Sequence, residues 1–306
     1  EYTKNNMVEA GWLEQADADK MKLPTVAPRS TSGQLSGPKG HIVEAVQKEL
    51  AKLGFSQDQL LVGGLVIKTT LDQKAQQSAV DAVNKFYPKN APADLRIGLV
   101  AIRPGTGEIL ALYGGRDYLE RQLNDATQSI TQAGSTFKPF VYAAAIDQLQ
   151  LSPCDTFPDS QFCVEKNKFG NPEKWCPRNS GDKYGRTRTL KNALANSINT
   201  VTARLIDKIG PKPVIKLAKN LGIEQRILPV PSIALGTPDL SVYEMVAAYS
   251  AFANKGVYTK PILIEKIEDK NGTILFEYKR ETKDVLSEEE DMYDELNVVP
   301  DIDTMD

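Results

Sequence analysis

An α+β fold is predicted for this 306-residue chain by three observations. Apolar runs separated by turn residues occur near 97–113 and again near 261–277. The stretch between them is mainly helical in its pattern, and strands and helices are grouped rather than alternating as a parallel sheet requires. A hydrophobic content of 41% in a chain of this length is enough for one large core and a smaller appended module.

The elements follow in order. Residues 30–40, rich in Ser, Gly and Pro, read as a flexible connector. Residues 41–53 have the spacing of an amphipathic helix, 64–72 give a strand and 73–86 a second helix. The runs 97–102 and 109–113 are joined by Arg103-Pro104-Gly105-Thr106-Gly107-Glu108, which is hairpin turn chemistry. Gly105-Thr106-Gly107 is not a phosphate loop, because such loops open a helix and here a strand follows. Gly134 breaks the chain before a buried helix that runs through Phe140-Val141-Tyr142-Ala143-Ala144-Ala145-Ile146, with Pro139 in its tolerant first turn. Residues 190–196 are helical in pattern. Ser241 and Glu244 have capping-box spacing, and Gly256 is placed to end the helix they open. The runs 261–267 and 273–277, with Asn271-Gly272 between them, form a second hairpin.

Chemistry concentrates at Ser135-Thr136-Phe137-Lys138. Positions i and i+3 share a helix face, so the Ser135 hydroxyl and the Lys138 amine can meet. A serine hydroxyl needs a base to take its proton, and lysine serves only when its pKa is lowered. Burial lowers it, and the positive end of the helix dipole acts in the same direction. Backbone N–H groups at that helix start are also available to a developing oxyanion. The plain alternative is a serine that merely opens a helix. Ser36-Gly37-Pro38-Lys39 and Ser180-Gly181-Asp182-Lys183 share the spacing but lie among Gly and Pro, as loops do. Ser197-Ile198-Asn199, the one S-x-N of the chain, ends the 190–196 helix, where a hydroxyl and an amide can face the Ser-Lys pair across a cleft. Its plain alternative is a helix C-terminal turn bonded to local backbone.

The blocks Gly134-Ser135-Thr136-Phe137-Lys138-Pro139-Phe140, Ala195-Asn196-Ser197-Ile198-Asn199-Thr200, Ala234-Leu235-Gly236-Thr237-Pro238-Asp239-Leu240-Ser241, Glu244-Met245-Val246-Ala247-Ala248-Tyr249 and Phe252-Ala253-Asn254-Lys255-Gly256 resemble, in order and spacing, the transpeptidase domain of class A (bifunctional) penicillin-binding proteins. The likeness covers roughly residues 1–286. It implies a penicillin-binding transpeptidase/serine β-lactamase-like fold, with an antiparallel sheet flanked by helices, a helical subdomain and a C-terminal truncation. It also implies a D,D-transpeptidase that joins a D-Ala-D-Ala donor stem peptide of peptidoglycan to an amine acceptor and is acylated by β-lactam antibiotics. By position, Ser135 is the nucleophile, Lys138 its base, and Ser197 with Asn199 the pair that relays protons and contacts substrate. No cofactor or metal is implied.

The same resemblance divides the chain. Met7-Val8-Glu9-Ala10-Gly11, Ala16-Asp17-Ala18-Asp19-Lys20 and Leu23-Pro24 are similar to the tail of a glycosyltransferase domain, giving a remnant at 1–29 without its catalytic glutamate segments, so glycan polymerisation is not expected. Residues 30–94 resemble the linker module, 95–286 the transpeptidase domain, incomplete, and 287–306 form an acidic tail. The family's third motif, Lys-Thr-Gly, is absent. Lys68-Thr69-Thr70 precedes the nucleophile and lacks the glycine. The missing strand would line one cleft wall, bind the substrate carboxylate and supply an oxyanion donor. Loss of one such donor lowers rate about a hundred- to a thousandfold, so near-inactivity is expected of this chain.

Residues 287–306 carry nine acids and no Lys or Arg, leaving 37 basic against 31 acidic residues in the rest. Such a run is ordinarily a solvated end, and a mildly basic body suits an anionic wall polymer. No apolar run is long enough to span a bilayer and no signal peptide is visible, whereas the family is membrane-anchored and extracytoplasmic, in keeping with a fragment. Cys154, Cys163 and Cys176 fit no compact zinc pattern, and the single histidine, His41, is poorly placed as a fourth ligand or as a triad base. Outside the cytoplasm one disulfide is expected, Cys163 with Cys176, leaving Cys154 as a thiol. No basic-aromatic cluster suggests nucleic acid. Two other functions stay open: a D,D-carboxypeptidase or β-lactamase-type hydrolase with the same Ser-Lys start, and a non-catalytic wall-binding fragment.

Overall fold

The computed structural model describes residues 2–21, 35–62, 64–92 and 94–285. The expected acidic tail at 287–306 and residues 30–34 of the connector lie outside them. Two short helices, α1 (Tyr2–Glu9) and α2 (Gln15–Lys20), come first. They are followed by α3 (Lys39–Lys52), α4 (Gln57–Val62), β1 (Val66–Thr69) and α5 (Gln73–Phe86). The expected helices 41–53 and 73–86 are thus present. Asp72 caps α5 by accepting the Ala75 N–H at 2.8 Å.

The first expected hairpin is β2 (Leu99–Ile102) paired antiparallel with β3 (Ile109–Tyr113). After β4 (Thr131–Gln132), a 3₁₀ turn over Gly134–Phe137 runs into α6 (Lys138–Leu149). Beyond it come β5 (Thr156–Pro158), β6 (Thr187–Thr189), α7 (Leu190–Ala195), α8 (Asn199–Ile209) and α9 (Pro211–Asn220). A 3₁₀ turn over Pro231–Leu235, β7 (Asp239–Leu240) and α10 (Val242–Ala253) complete the central part. Last are β8 (Val257–Thr259), β9 (Ile264–Glu268), β10 (Ile274–Glu277) and β11 (Thr282–Asp284).

The pairings between these strands are all antiparallel, with one isolated parallel bridge between Glu108 and Ile262, but they form several small sheets rather than one broad one: β1-β9-β10, β2-β3, β4-β7, β5-β6 and β8-β11. Hydrogen bonds stitch the first two together. The Thr70 hydroxyl contacts the carbonyls of Ile109 at 3.0 Å and Ile262 at 2.8 Å, and the Asp72 N–H reaches Leu110 O at 2.9 Å. Against β2 and β3 pack Ile42, Ala45 and Val46 of α3 and Val242, Tyr243 and Val246 of α10.

The helical part has its own apolar core. Phe140, Val141, Ala144 and Ala145 of α6 are buried against Val201, Leu205 and Ile206 of α8, Val214 and Ala218 of α9, and Ile233 and Ala234. α6 is apolar on nearly every side because it runs through this core, as its seven-residue apolar run predicts. The capping box at Ser241 and Glu244 is formed in full. Gly256 does not itself terminate α10: Asn254 is the C-cap and Lys255 takes the left-handed conformation at φ +57°, with Gly256 at φ +85° beyond it. No described helix is long and apolar enough to cross a membrane.

Candidate active site

Three pieces of backbone bring the candidate residues together. Ser135 lies exposed in the 3₁₀ turn over Gly134–Phe137, and Lys138 is the first residue of α6. That turn is clamped from outside. Gly134 donates its N–H to Gly236 O at 2.9 Å and Ala133 to Pro238 O at 3.0 Å, while Tyr249 of α10 donates its hydroxyl to Thr136 O at 2.5 Å. A Cβ on Gly236, which has φ +78°, would sit 1.8 Å from Gly134 O, so only glycine permits this approach.

Ser197 and Asn199 come from the junction of α7 and α8. The Ser197 N–H bonds Leu194 O at 3.0 Å and the Ile198 N–H bonds Ala193 O at 2.9 Å. This is the paired pattern of a Schellman C-terminus, with Ser197 at φ +54° where glycine is usual. The helix C-terminal turn is therefore real, yet the Ser197 side chain leaves it to face Lys138.

The Lys138 side chain is 1% exposed, and its Nζ has three acceptors. They are Ser197 O at 2.7 Å, Ser197 Oγ at 2.8 Å and Asn199 Oδ1 at 2.5 Å. Ser197 Oγ in turn donates to Ser135 Oγ at 3.0 Å. The expected meeting of Ser135 and Lys138 across one helix face is thus an indirect one, bridged by the Ser197 hydroxyl. The reason is local geometry: Ser135 precedes α6 in a tighter turn, and the lysine extends toward α7 and α8. All three acceptors are neutral, so burial dominates and pulls the amine from 10.5 down to about 8.

The Asn199 amide is oriented from its other end. Its Nδ2 donates to Arg178 O at 2.7 Å, which leaves Oδ1 for the lysine. Arg178 belongs to the insert between α6 and α7, which is closed by a Cys163–Cys176 disulfide; Cys154 is free and exposed. The bridge and the free thiol are those expected from the sequence for a chain acting outside the cytoplasm. His41 is buried on α3, its ring edge-on to Tyr118, and burial holds its pKa below the usual histidine range. Two cavities among the described residues, of about 390 and 340 Å³, are lined by Tyr87 and Arg116 and by His41, Tyr113 and Arg96, away from these four residues. The Ser135 site is instead an open face, with Ser135 and Ser197 both exposed. No group of His, Cys, Asp and Glu suited to a metal occurs among the described residues.

A buried serine-linked lysine with an asparagine beside it is the arrangement of the serine acyl-enzyme families that use lysine. The family described as penicillin binding protein transpeptidase domain matches residues 97–296, which include all four candidates, and the chain belongs to that family. It is 32% identical over 279 residues to penicillin-binding protein 2D of Bacillus subtilis (strain 168), covering 90% of this chain and 40% of that protein. Among solved structures it is similar to the PonA1 protein of Mycobacterium tuberculosis in complex with penicillin V. The TM-score there is 0.70 at 29% identity, covering 79% of this chain and 65% of that one. Penicillin-binding protein 1A of Haemophilus influenzae, at 22% identity, shares the fold with a TM-score of 0.70 over 91% of this chain and 55% of that one. The relatives are class A penicillin-binding proteins, and the transpeptidase fold expected from sequence is the one found. The chain spans well under half the length of the curated relatives it matches, between 27% and 40% for the first three.

Proposed function

We propose that this chain is the acyl-transfer part of a bifunctional penicillin-binding protein, in which Ser135 attacks the carbonyl of a D-Ala-D-Ala stem peptide or a β-lactam. The observation that carries the proposal is the continuous path from Lys138 Nζ through Ser197 Oγ to Ser135 Oγ, with links of 2.8 and 3.0 Å. With a pKa of about 8, about a tenth of the amine is neutral at pH 7, against roughly one part in three thousand for an ordinary lysine. In the neutral form its lone pair accepts the Ser197 proton while Ser197 accepts that of Ser135, so the nucleophile is unmasked as its oxygen bonds to carbon. The proton returns by the same path to the departing amine. An acceptor amine then attacks the acyl-serine, and the path runs again in reverse. In this reading Asn199 orients the lysine through its Oδ1 and contacts the substrate.

The division into a glycosyltransferase remnant at 1–29, a linker at 30–94 and the transpeptidase part at 95–286 belongs to this proposal, as do an extracytoplasmic site of action and a membrane-anchored parent. Because the 306 residues contain no Lys-Thr-Gly, the proposal includes slow turnover by this chain. The test is prolonged incubation with a fluorescent penicillin, followed by peptide mass mapping. A covalent adduct on Ser135, absent from Ser135→Ala, is expected. No adduct at any excess of penicillin would leave the non-catalytic wall-binding alternative. Rapid release of the adduct by water alone would favour the hydrolase.

A further inference from the structure

α8 begins without a cap of its own. Its N-cap residue is Ile198, whose side chain cannot accept a hydrogen bond, so the Thr200 N–H needs an outside partner. Asn179 supplies it: its Oδ1 accepts from Thr200 N at 3.0 Å. The neighbouring Arg178 O accepts from Asn199 Nδ2 at 2.7 Å. Two consecutive residues of the insert thus hold the first two residues of the helix that presents Asn199 to Lys138.

Asn179 is itself fixed by a wholly buried carboxylate. Asp159, 0% exposed, accepts from Asn179 Nδ2 at 2.6 Å, Thr200 Oγ1 at 3.1 Å, Gly185 N at 3.1 Å and Arg188 Nε at 2.5 Å. Four donors, one of them the Arg188 guanidinium, satisfy a charge that would otherwise be prohibitive in the interior. Arg188 also reaches Asn192 of α7 at 3.1 Å, so the cluster grips both helices that flank Ser197. None of these hydrogen bonds reaches Ser135 or Lys138.

We infer that Asn179 and Asp159 are positioning residues for acyl transfer, acting through Arg178 O and Thr200 N to keep the Asn199 amide oxygen on Lys138. This rests on the acyl-transfer proposal for its purpose but not for its geometry. When Asn179 is shortened, Arg178 O and the start of α8 lose their registration, and the Asn199 amide is free to rotate its NH₂ toward the lysine. Lys138 then loses one of its three acceptors. Its ammonium form is disfavoured while the amine remains buried.

The test follows Lys138 directly, by its ¹³Cε chemical shift against pH in ¹³C-lysine-labelled protein, the resonance being assigned by its disappearance in Lys138→Met. The wild-type midpoint is expected near 8. In Asn179→Ala it is expected about one unit lower, a tenfold loss of proton affinity, with the remaining spectrum native-like. If Asn179→Ala does not fold, Asn179→Ser keeps a hydroxyl near Asp159 but cannot span to Thr200, and the same downward shift is expected. An unmoved midpoint in either folded variant overturns the inference, since a merely structural role lowers stability without retuning this amine. Penicillin labelling is measured in parallel, and slowing by about ten- to a hundredfold is expected in the variant. A wild type that shifts as described but never labels Ser135 would retain the positioning network and remove the acyl-transfer proposal.

Discussion

Replacing Lys138 by methionine separates what burial does to the amine from what the surrounding fold does. The folded-state pKa is near 8 and the ordinary value 10.5, so the folded chain binds this proton more weakly than the unfolded one. The sign follows: protonation penalises the native state below pH 8, and the penalty fades as pH rises from 8 toward 10.5. Its size is about 3 kcal/mol at pH 7 and about 1 kcal/mol at pH 10. Methionine has no proton to bind, and Lys138→Met lacks this slope. It also leaves Ser197 O, Ser197 Oγ and Asn199 Oδ1 without their donor, but that offset does not depend on pH. The assay is urea unfolding of both proteins from pH 7 to 10. Wild-type stability minus variant stability should rise by on the order of 2 kcal/mol across the range. Taking the difference also cancels Tyr142 and Tyr258, which burial pushes up to about 12 and which act oppositely, lowering stability as the unfolded chain ionises near pH 10. A flat difference would refute the claim that Lys138 is tuned by desolvation.

Gly236→Ala should be severe, because its new methyl would meet Gly134 O at 1.8 Å; a loss of more than about 2 kcal/mol in thermal or urea unfolding, with loss of penicillin labelling, is expected. Replacing Cys163 and Cys176 by serine opens a loop of sequence separation 13 and should lower stability by about 3 kcal/mol by the chain-entropy account, and equal urea midpoints would contradict it. Ser241→Ala should lower stability by about 1 kcal/mol through loss of the cap. Glu244→Ala should cost more, since its buried carboxylate also serves Glu224 N and Gln225 N, and the reverse order would show that the box dominates.

Local signals in the sequence carried well. The hairpin 97–113 was readable because Pro104, Gly105 and Gly107 punctuate two apolar runs, and it appears as β2 and β3. The four candidate side chains lie together, though with Ser197 standing between Ser135 and Lys138. What failed to show was non-local. Nothing about Ser135 and Lys138 taken alone indicates that Ser197 would stand between them, since that depends on how α7 meets α6. The division into small sheets was equally hidden: β4 with β7 and β5 with β6 are pairings of two or three residues, too short for any periodicity. Asp159, Asn179 and Arg188 lie scattered in an insert that reads as ordinary polar loop. Gly236 and Tyr249 stood inside recognisable blocks, but their service to the Ser135 turn exists only once Gly134 lies against the former and Thr136 beneath the latter.

Ser197 stands where backbone comfort and chemistry disagree. At φ +54° glycine would relax the turn, and asparagine or aspartate would bear it better than serine. Yet glycine would sever the bridge to Ser135, and an aspartate would pin the lysine as a permanent cation. A laboratory selection that rewarded heat resistance alone should therefore drift toward glycine here and breed sturdier, silent proteins; one that also demanded acylation should leave the serine untouched.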